Sequence, residues 1–230
     1  MNFFDSLISD VSELTEKLPM KHFQLSEKLW TDTLYSKVIL QRDTAFELEG
    51  TGFNLVTSKE TDDCITVIGD DLDNISQSRK FARICLVQIE DEQDQQKAYN
   101  LIRKIEYVKY HYFPEGYMIR TSSRSHKEAV RVSKKAVKDG ISFQKVGSLL
   151  ISKYKENPAV KGVSVIFITA PDADYSQLEA LAKKNNNITE TLNHIMNSVK
   201  FDCDSCNLKP VCDEVEGMKE LHFKNTSMMG

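Results

Sequence analysis

The run VSVIFIT, residues 163–169, is the stretch of this sequence that decides its fold. It is the most hydrophobic run in the chain, and apolar and polar residues do not alternate within it. A strand with one solvated face alternates, whereas a strand that is covered on both faces is apolar almost throughout. The run therefore predicts a central strand covered on both faces.

Further strands and several helices are predicted on both sides of this run. Short segments rich in Val, Ile and aromatic residues, bounded by Gly, Asp and Asn, are typical of strands. The predicted strands are KVILQ at 37–41, AFELEG at 45–50, ITVIG at 65–69 and ARICLVQIE at 82–90, followed by VKYHYF at 108–113 and YMIRT at 117–121, which flank the turn triplet PEG. Apolar residues spaced three and four apart predict helices. The predicted helices span 2–17, 22–35, a segment that opens in the acidic stretch 90–96 and ends at 105, 124–138, 143–155 and 174–199.

This pattern predicts an α+β fold, a mixed α/β sheet flanked by helices. We divide the chain into a helical N-terminal segment (1–35), an α/β domain (36–199) and a metal- or cluster-binding C-terminal tail (200–230). No internal repeat or long Gly/Ser linker separates these parts.

Composition narrows the range of functions. A chain of 230 residues with 40% hydrophobic content can bury a full core. Its net charge of −4 gives no general attraction to nucleic acid or to an anionic membrane. No apolar run approaches the roughly 20 residues needed to cross a bilayer, and residues 1–18 mix acidic with apolar side chains, unlike a signal peptide. We expect a cytoplasmic protein that binds neither nucleic acid nor membrane.

Three of the five cysteines crowd into the tail. Cys203, Cys206 and Cys212 have the spacing C-x2-C-x5-C, which lets the first two thiolates bind one centre from a single turn while the third returns after a loop. Three thiolates form a soft site, suited to zinc or an iron–sulfur cluster. Both centres prefer four ligands, and His222 is the nearest residue that could serve as the fourth. The simpler interpretation is three thiols on a terminal segment that bind nothing.

The chain also resembles a known family in an ordered set of motifs. These are TAFEL at 44–48, ITVIGDDLDNI at 65–75, RVSKKAVKDGISF at 131–143 and the cysteine tail. The motifs are similar to those of the β subunit of the carbon monoxide dehydrogenase/acetyl-CoA synthase complex. The likeness covers roughly residues 36–222 and corresponds to the family's middle domain and the beginning of its catalytic domain.

The resemblance implies a cofactor for the tail. In the family, four tail cysteines carry the 4Fe–4S part of a nickel-containing cluster, and Cys203, Cys206 and Cys212 look like the first three. The gap between the second and third is shorter here, and His222 stands where the family has its fourth cysteine. The sequence holds no counterpart of the downstream Cys-Gly-Cys that binds the distal nickel in the family. We therefore expect a Cys3His site and no acetyl assembly on nickel, which leaves open whether the chain is an enzyme.

A second implied ligand is coenzyme A. Arg124, Lys127, Arg131, Lys134 and Lys138 recur at spacings that would form one positive stripe on a helix. The family's middle domain is associated with coenzyme A, and guanidinium groups pair well with phosphate, so Arg120, Arg124, Arg131 and Lys134 are candidates for binding it or another anion. A solvated helix face, or docking to an acidic partner, would explain the same stripe.

The leading functional hypothesis is a stand-alone acetyl-CoA-synthase-like iron–sulfur protein, with a 4Fe–4S cluster, that acts in anaerobic C1, acetyl-CoA or corrinoid metabolism as an electron-transfer or accessory protein. Carbon monoxide dehydrogenase, a corrinoid protein or a redox protein would be its partner, and the tail could share a cluster across a homodimer. One alternative is a zinc-stabilised binding module. Another is a subunit of an acyl-CoA enzyme that a separate chain completes.

Overall fold

A seven-stranded mixed sheet with helices on both faces forms the core of the protein. The computed structural model describes residues 3–90, 92, 94–121, 126–197, 208–215, 217, 218 and 221. The strands are β1 (Met20–Phe23), β2 (Thr44–Thr57), β3 (Cys64–Ile68), β4 (Arg79–Ile89), β5 (Tyr117–Thr121), β6 (Lys127–Ser133) and β7 (Val160–Ile168). The helices are α1 (Asp5–Thr15), α2 (Gln95–Tyr107), α3 (Lys134–Lys138), α4 (Phe143–Lys155), α5 (Tyr175–Met196) and α6 (Lys209–Glu214). The predicted α+β class is confirmed.

The sheet has the order β1-β3-β7-β4-β2-β6-β5. The pairs β2–β4 and β3–β7 are parallel, and the pairs β1–β3, β4–β7, β2–β6 and β5–β6 are antiparallel. The apolar run that predicted a central strand lies in β7, between β3 and β4, and its side chains are almost all buried. That prediction is confirmed, because the strand has a neighbour on each edge and the residues of both its faces are almost all buried.

Two helices cover opposite faces of the sheet. On one face Phe143, the first residue of α4, stacks on Phe167 with ring centroids 4.4 Å apart and on Phe81 at 6.1 Å. On the other face Tyr175, the first residue of α5, contacts the ammonium group of Lys80. Neighbouring residues of one strand point to opposite faces, so Lys80 and Phe81 place α5 and α4 on the two sides. Burying each aromatic ring contributes about 1.5–3 kcal/mol.

Four predicted elements differ from the structure. Residues 24–35 contain no helix, and β1 occupies the start of the segment predicted as a helix over 22–35. The apolar residues Leu25 and Leu29 are 41% and 48% exposed, so this segment has no buried helical face. Pairing of β1 with β3 takes its place.

The strands predicted at 37–41 and 108–113 are also wrong. Residues 37–40 do not form a strand, and Val38 is 75% exposed. Helix α2 continues to Tyr107 and ends in a 3₁₀ turn at Val108–Tyr110, so β5 forms its hairpin with β6 instead. The fourth difference, at 124–138, decides the geometry of the candidate site.

Candidate functional site

Strand β6 carries the central part of the predicted basic stripe. Its side chains alternate, with Glu128, Val130 and Val132 buried and the residues between them facing the other side of the sheet. This period of two outweighs the three- and four-residue spacing of the charges, so the helix predicted over 124–138 is wrong for its described residues up to Ser133 and right for those of α3. The stripe is therefore not continuous on one helix, and Arg124 lies outside the described residues.

Glu47 on β2 gathers two of the predicted anion-binding residues. Arg131 contacts Glu47 Oε1 through Nη2 at 2.6 Å and Nε at 2.7 Å, and its Nη1 donates to the backbone oxygen of Ile39 at 2.8 Å. Arg120 Nη2 lies 3.8 Å from Glu47 Oε2, and its side chain is 51% exposed. Arg131 is thus held by internal partners, whereas Arg120 retains a solvent-facing guanidinium.

Lys134, at the start of α3, lies at the same end of the sheet. Its ammonium group donates to the backbone oxygen of Arg42 at 2.9 Å. A cavity of about 500 Å³ beside it is also lined by Lys37 and Lys135. The structure therefore brings Arg120, Arg131 and Lys134 together along residues 39–47, although not in the helical arrangement that the sequence predicted.

A second cavity, of about 310 Å³, runs along β5, and we call it the β5 cleft. Its lining includes the basic side chains of Lys37, Lys109 and Arg120. The rest of the lining is uncharged: Thr33, Ser36, Tyr110, Tyr112, Phe113, Pro114, Gly116, Tyr117, Met118, Ile119 and Thr121. This cleft combines positive charge with aromatic surface, an arrangement suited to an anionic ligand that also has apolar parts.

A buried polar cluster beneath the same strands was missed by the sequence reasoning. Arg83 on β4 donates to Glu128 on β6 through Nη2 at 2.7 Å and Nε at 2.9 Å, and both side chains are at most 2% exposed. Arg83 Nη1 also donates to Asn54 Oδ1 at 3.2 Å, which accepts a second bond from Tyr154 at 2.8 Å. The alternation of side chains along the strands could have identified this cluster, because both charged residues occupy strand positions that alternate with the outward-facing ones.

Burial controls the ionisation of this cluster. Desolvation is the largest single effect and disfavours the charged guanidinium, but the charge of Glu128, the hydrogen bonds that Arg83 donates to it and other neighbouring groups together hold the pKa of Arg83 well above its ordinary value. Burial raises the pKa of the Cys85 thiol, and it raises the pKa of Tyr154 well above the ordinary value. Cys85 is therefore an inert, protonated thiol, as expected for a cysteine that packs as a small hydrophobe.

The predicted metal site falls largely outside the described residues. Cys203, Cys206 and His222 lie outside them, whereas Cys212 lies on α6 and is half-buried. Helix α6 packs on α5, and the neighbouring Val215 and Met218 are buried in the core. Among the residues that the structure describes, no group of three or more His, Cys, Asp or Glu is placed to hold a metal ion. Cys212 itself packs against the hydrophobic core.

Helices long and apolar enough to cross a membrane are absent from the described part of the chain.

Comparison with known proteins gives one match. The family model described as the CO dehydrogenase/acetyl-CoA synthase complex beta subunit matches residues 28–173, which is more than half of the chain. The matched region runs from the segment before β2 through β7, and it includes the β5 cleft and Arg120, Arg131 and Lys134. None of the curated proteins matches the chain.

Proposed function

The chain belongs to the CO dehydrogenase/acetyl-CoA synthase complex beta subunit family, and from that premise we propose that it is an acetyl-CoA-synthase-like iron–sulfur protein. It would act as a stand-alone electron-transfer or accessory protein in anaerobic C1, acetyl-CoA or corrinoid metabolism. Carbon monoxide dehydrogenase, a corrinoid protein or a redox protein would be its partner. The family match over residues 28–173 is the observation that carries this proposal.

The donor set of the tail is compatible with an iron–sulfur centre. Cys203, Cys206 and Cys212 would supply three thiolates and His222 an imidazole, a soft set that suits iron–sulfur or zinc better than magnesium or calcium. Of these four, the structure describes Cys212, which is half-buried on α6. A 4Fe–4S cluster bound there would supply one-electron redox chemistry.

Metal quantitation on anaerobically purified protein tests this proposal. We expect about four iron and four sulfide per chain, with visible absorbance that bleaches on reduction. Cys212→Ala should lose most of the iron, and His222→Ala should lose part of it. Cys64→Ala is the matched control, because Cys64 begins β3, where its thiol donates to Ser164 Oγ at 3.3 Å. A colourless protein with stoichiometric zinc would contradict the iron–sulfur proposal and favour the zinc-stabilised binding module.

Coenzyme A is the second ligand proposed, at the basic end of the sheet. The side chains of Arg120 and Lys134 are exposed there, and Arg131 forms an ion pair with Glu47. In the sequence, Arg124 lies between β5 and β6. Phosphate groups would pair with the two solvent-facing cations. Lys37, Arg42 and Lys135 add positive charge to this end of the sheet, while Asp43 and Glu115 reduce it.

Calorimetric titration with coenzyme A and with its 3′-dephospho form tests this second ligand. Arg120→Gln and Lys134→Gln should each weaken coenzyme A binding about fivefold to tenfold, since each removes one phosphate contact. Lys138→Gln, on the exposed side of α3, is the matched control for charge. Equal affinity in all variants would rule out this position for coenzyme A.

A further inference from the structure

Strand β5 lies at the edge of the sheet. In the described part of the chain it pairs with β6 on one side, and its other edge forms the floor of the β5 cleft, which includes every residue from Gly116 to Thr121. The backbone N–H and C=O groups along such an edge can pair with another extended segment. This cleft therefore offers the geometry for adding a strand.

A short segment, residues 33–40, borders the cleft, and we call it the strap. The strap starts against the sheet, where the Thr33 N–H donates to the backbone oxygen of Phe113 at 2.9 Å. Leu34 then adopts a φ of 63°, a left-handed conformation that is unfavourable for a leucine, and its N–H donates to Asp32 Oδ1 at 2.9 Å. The strap returns to β5 at Ile39, which is buried and whose N–H donates to Met118 Sδ at 3.4 Å. In the described part of the chain, no backbone–backbone hydrogen bond joins the strap to the edge at Met118–Thr121.

The strap exposes apolar side chains. Leu34 is 78% exposed, Val38 is 75% exposed and Tyr35 is 62% exposed. Thr33, Ser36 and Lys37 of the same strap line the cleft, so the apolar residues are interleaved with those that face it. Single exposed apolar residues are ordinary, but three within five positions of one strained segment form a patch of the kind found at protein interfaces.

The positive charge of the cleft indicates which kind of partner it can bind. Lys37, Lys109 and Arg120 line it, whereas its described lining contains no Asp or Glu. The carboxylates nearest two of these cations, Glu106 at 3.4 Å from Lys109 and Glu47 at 3.8 Å from Arg120, lie outside the lining. A second copy paired through its own β5 would bring these cations against the same cations, which disfavours self-association here.

From this geometry we infer that the β5 cleft and the strap bind an extended, acidic segment of a partner protein. The segment pairs with the free edge of β5 as an added strand, its carboxylates face Lys37, Lys109 and Arg120, and its apolar side chains contact Leu34, Tyr35 and Val38. This is strand addition, in which main-chain bonds give affinity and side-chain contacts give specificity. The inference goes beyond the proposed function, because it requires neither a cluster nor coenzyme A.

Peptide binding to the full chain tests this inference. The probe is a fluorescein-labelled decapeptide of alternating glutamate and valine, and the comparison peptides replace glutamate with lysine or valine with serine. We expect fluorescence anisotropy to show binding of the glutamate–valine peptide at low salt, with at least about tenfold weaker binding of each comparison peptide. Hydrogen exchange should show new protection in β5.

Two substitutions at exposed residues test the roles of charge and of apolar contact separately, and a third substitution is the control. Lys37→Glu should weaken binding of the probe about tenfold by reversing a charge, and Tyr35→Ser should weaken it by removing an apolar contact. Lys80→Glu makes the same charge change at an exposed site outside the cleft and should leave binding unchanged. Tyr35→Ser should also leave coenzyme A affinity unchanged, because Tyr35 does not line the cavity beside Lys134, so the two proposals fail separately.

The inference is overturned if the probe does not bind, if the lysine peptide binds equally well, or if protection appears elsewhere than in β5. Sedimentation without peptide provides one more check. A dimer whose β5 amides are already protected would show that a second copy occupies the edge.

Discussion

Arg83 and Glu128 form an ion pair in the interior of the protein, across two strands that do not touch each other. Arg83 lies on β4 and Glu128 on β6, with β2 between them. Their side chains reach across Gly52 of β2, where a Cβ atom would lie 2.2 Å from Glu128 Oε2. A buried pair of this kind stabilises a fold only while both partners are present.

Removing one partner should be more damaging than removing both. Glu128→Leu leaves a buried guanidinium without its carboxylate, and Arg83→Met leaves a buried carboxylate, so each should lower the free energy of unfolding by about 3–5 kcal/mol. The double variant buries no unpaired charge and should be more stable than either single one. Urea unfolding of the four proteins measures the coupling, and strictly additive losses would contradict this interpretation.

Gly52 should tolerate no side chain. Gly52→Ala would place its Cβ against Glu128 and 2.9 Å from Arg83 Nη2, and the displaced pair should cost about 1–3 kcal/mol. Gly140→Ala is a useful comparison, because Gly140 has a φ of 76° but its nearest atom, Lys145 Nζ, would lie 3.6 Å away. That variant should be destabilised only by its backbone strain, which costs about 1–2 kcal/mol. Thermal unfolding of both glycine variants, with and without Glu128→Leu, checks this. The stability lost by Gly52→Ala should depend on the presence of Glu128, and the stability lost by Gly140→Ala should not.

Much of the fold could be predicted where one period dominated the sequence. The apolar run of β7 and the helix over Phe143–Lys155 were predicted correctly, and Gly140, with a φ of 76°, forms the cap that ends α3. The N–H groups of Gly140 and Ile141 donate to the backbone oxygens of Val137 and Ala136, so the cap is a Schellman motif. Such local signals need no knowledge of the tertiary structure.

The errors occurred where local spacing and tertiary pairing disagreed. In β6 the charges recur every three or four residues, but the apolar residues alternate, and burial of Val130 and Val132 decides the structure. The β5 cleft could not be predicted, since Lys37, Lys109 and Arg120 are far apart in sequence and meet only through the sheet edge. Asp63 and Asp71 have local roles, since their carboxylates accept the backbone N–H groups of Val163 and Phe143.

Asp71 shows how one of those roles produces a pH dependence. Its Oδ1 accepts the N–H of Phe143, at the start of α4, at 2.6 Å. Desolvation by burial nevertheless raises the pKa of Asp71 above its ordinary value. The folded state therefore holds the proton more tightly than the unfolded state, and the cost of ionising Asp71 appears as pH rises from the unfolded pKa, about 4, through the folded pKa.

Asp71→Asn should remove that dependence while keeping the acceptor oxygen. The difference in unfolding free energy between Asp71→Asn and wild type should shift in favour of the variant as pH rises above about 4, and then become constant. Asp71→Ala loses the acceptor and should be less stable than Asp71→Asn at every pH, by about 1–3 kcal/mol. Urea unfolding at several pH values measures both effects. A difference that moves in the opposite direction would mean that the hydrogen bonds outweigh desolvation.

Removal of the metal that we propose for the tail should leave the sheet folded. The core is built mainly from β2 to β7 and from α1, α2, α4 and α5, and the described tail adds Val215, Met218 and Leu221 to it. Trp30, the single tryptophan, donates from Nε1 to the backbone oxygen of Glu115 at 2.8 Å and reports on the sheet end. Anaerobic chelation should therefore change the urea midpoint of Trp30 fluorescence little, while limited proteolysis should begin to cleave within 200–230. Cys212→Ala should reproduce both results without chelator. A large fall in the Trp30 midpoint would show instead that the metal supports the whole domain.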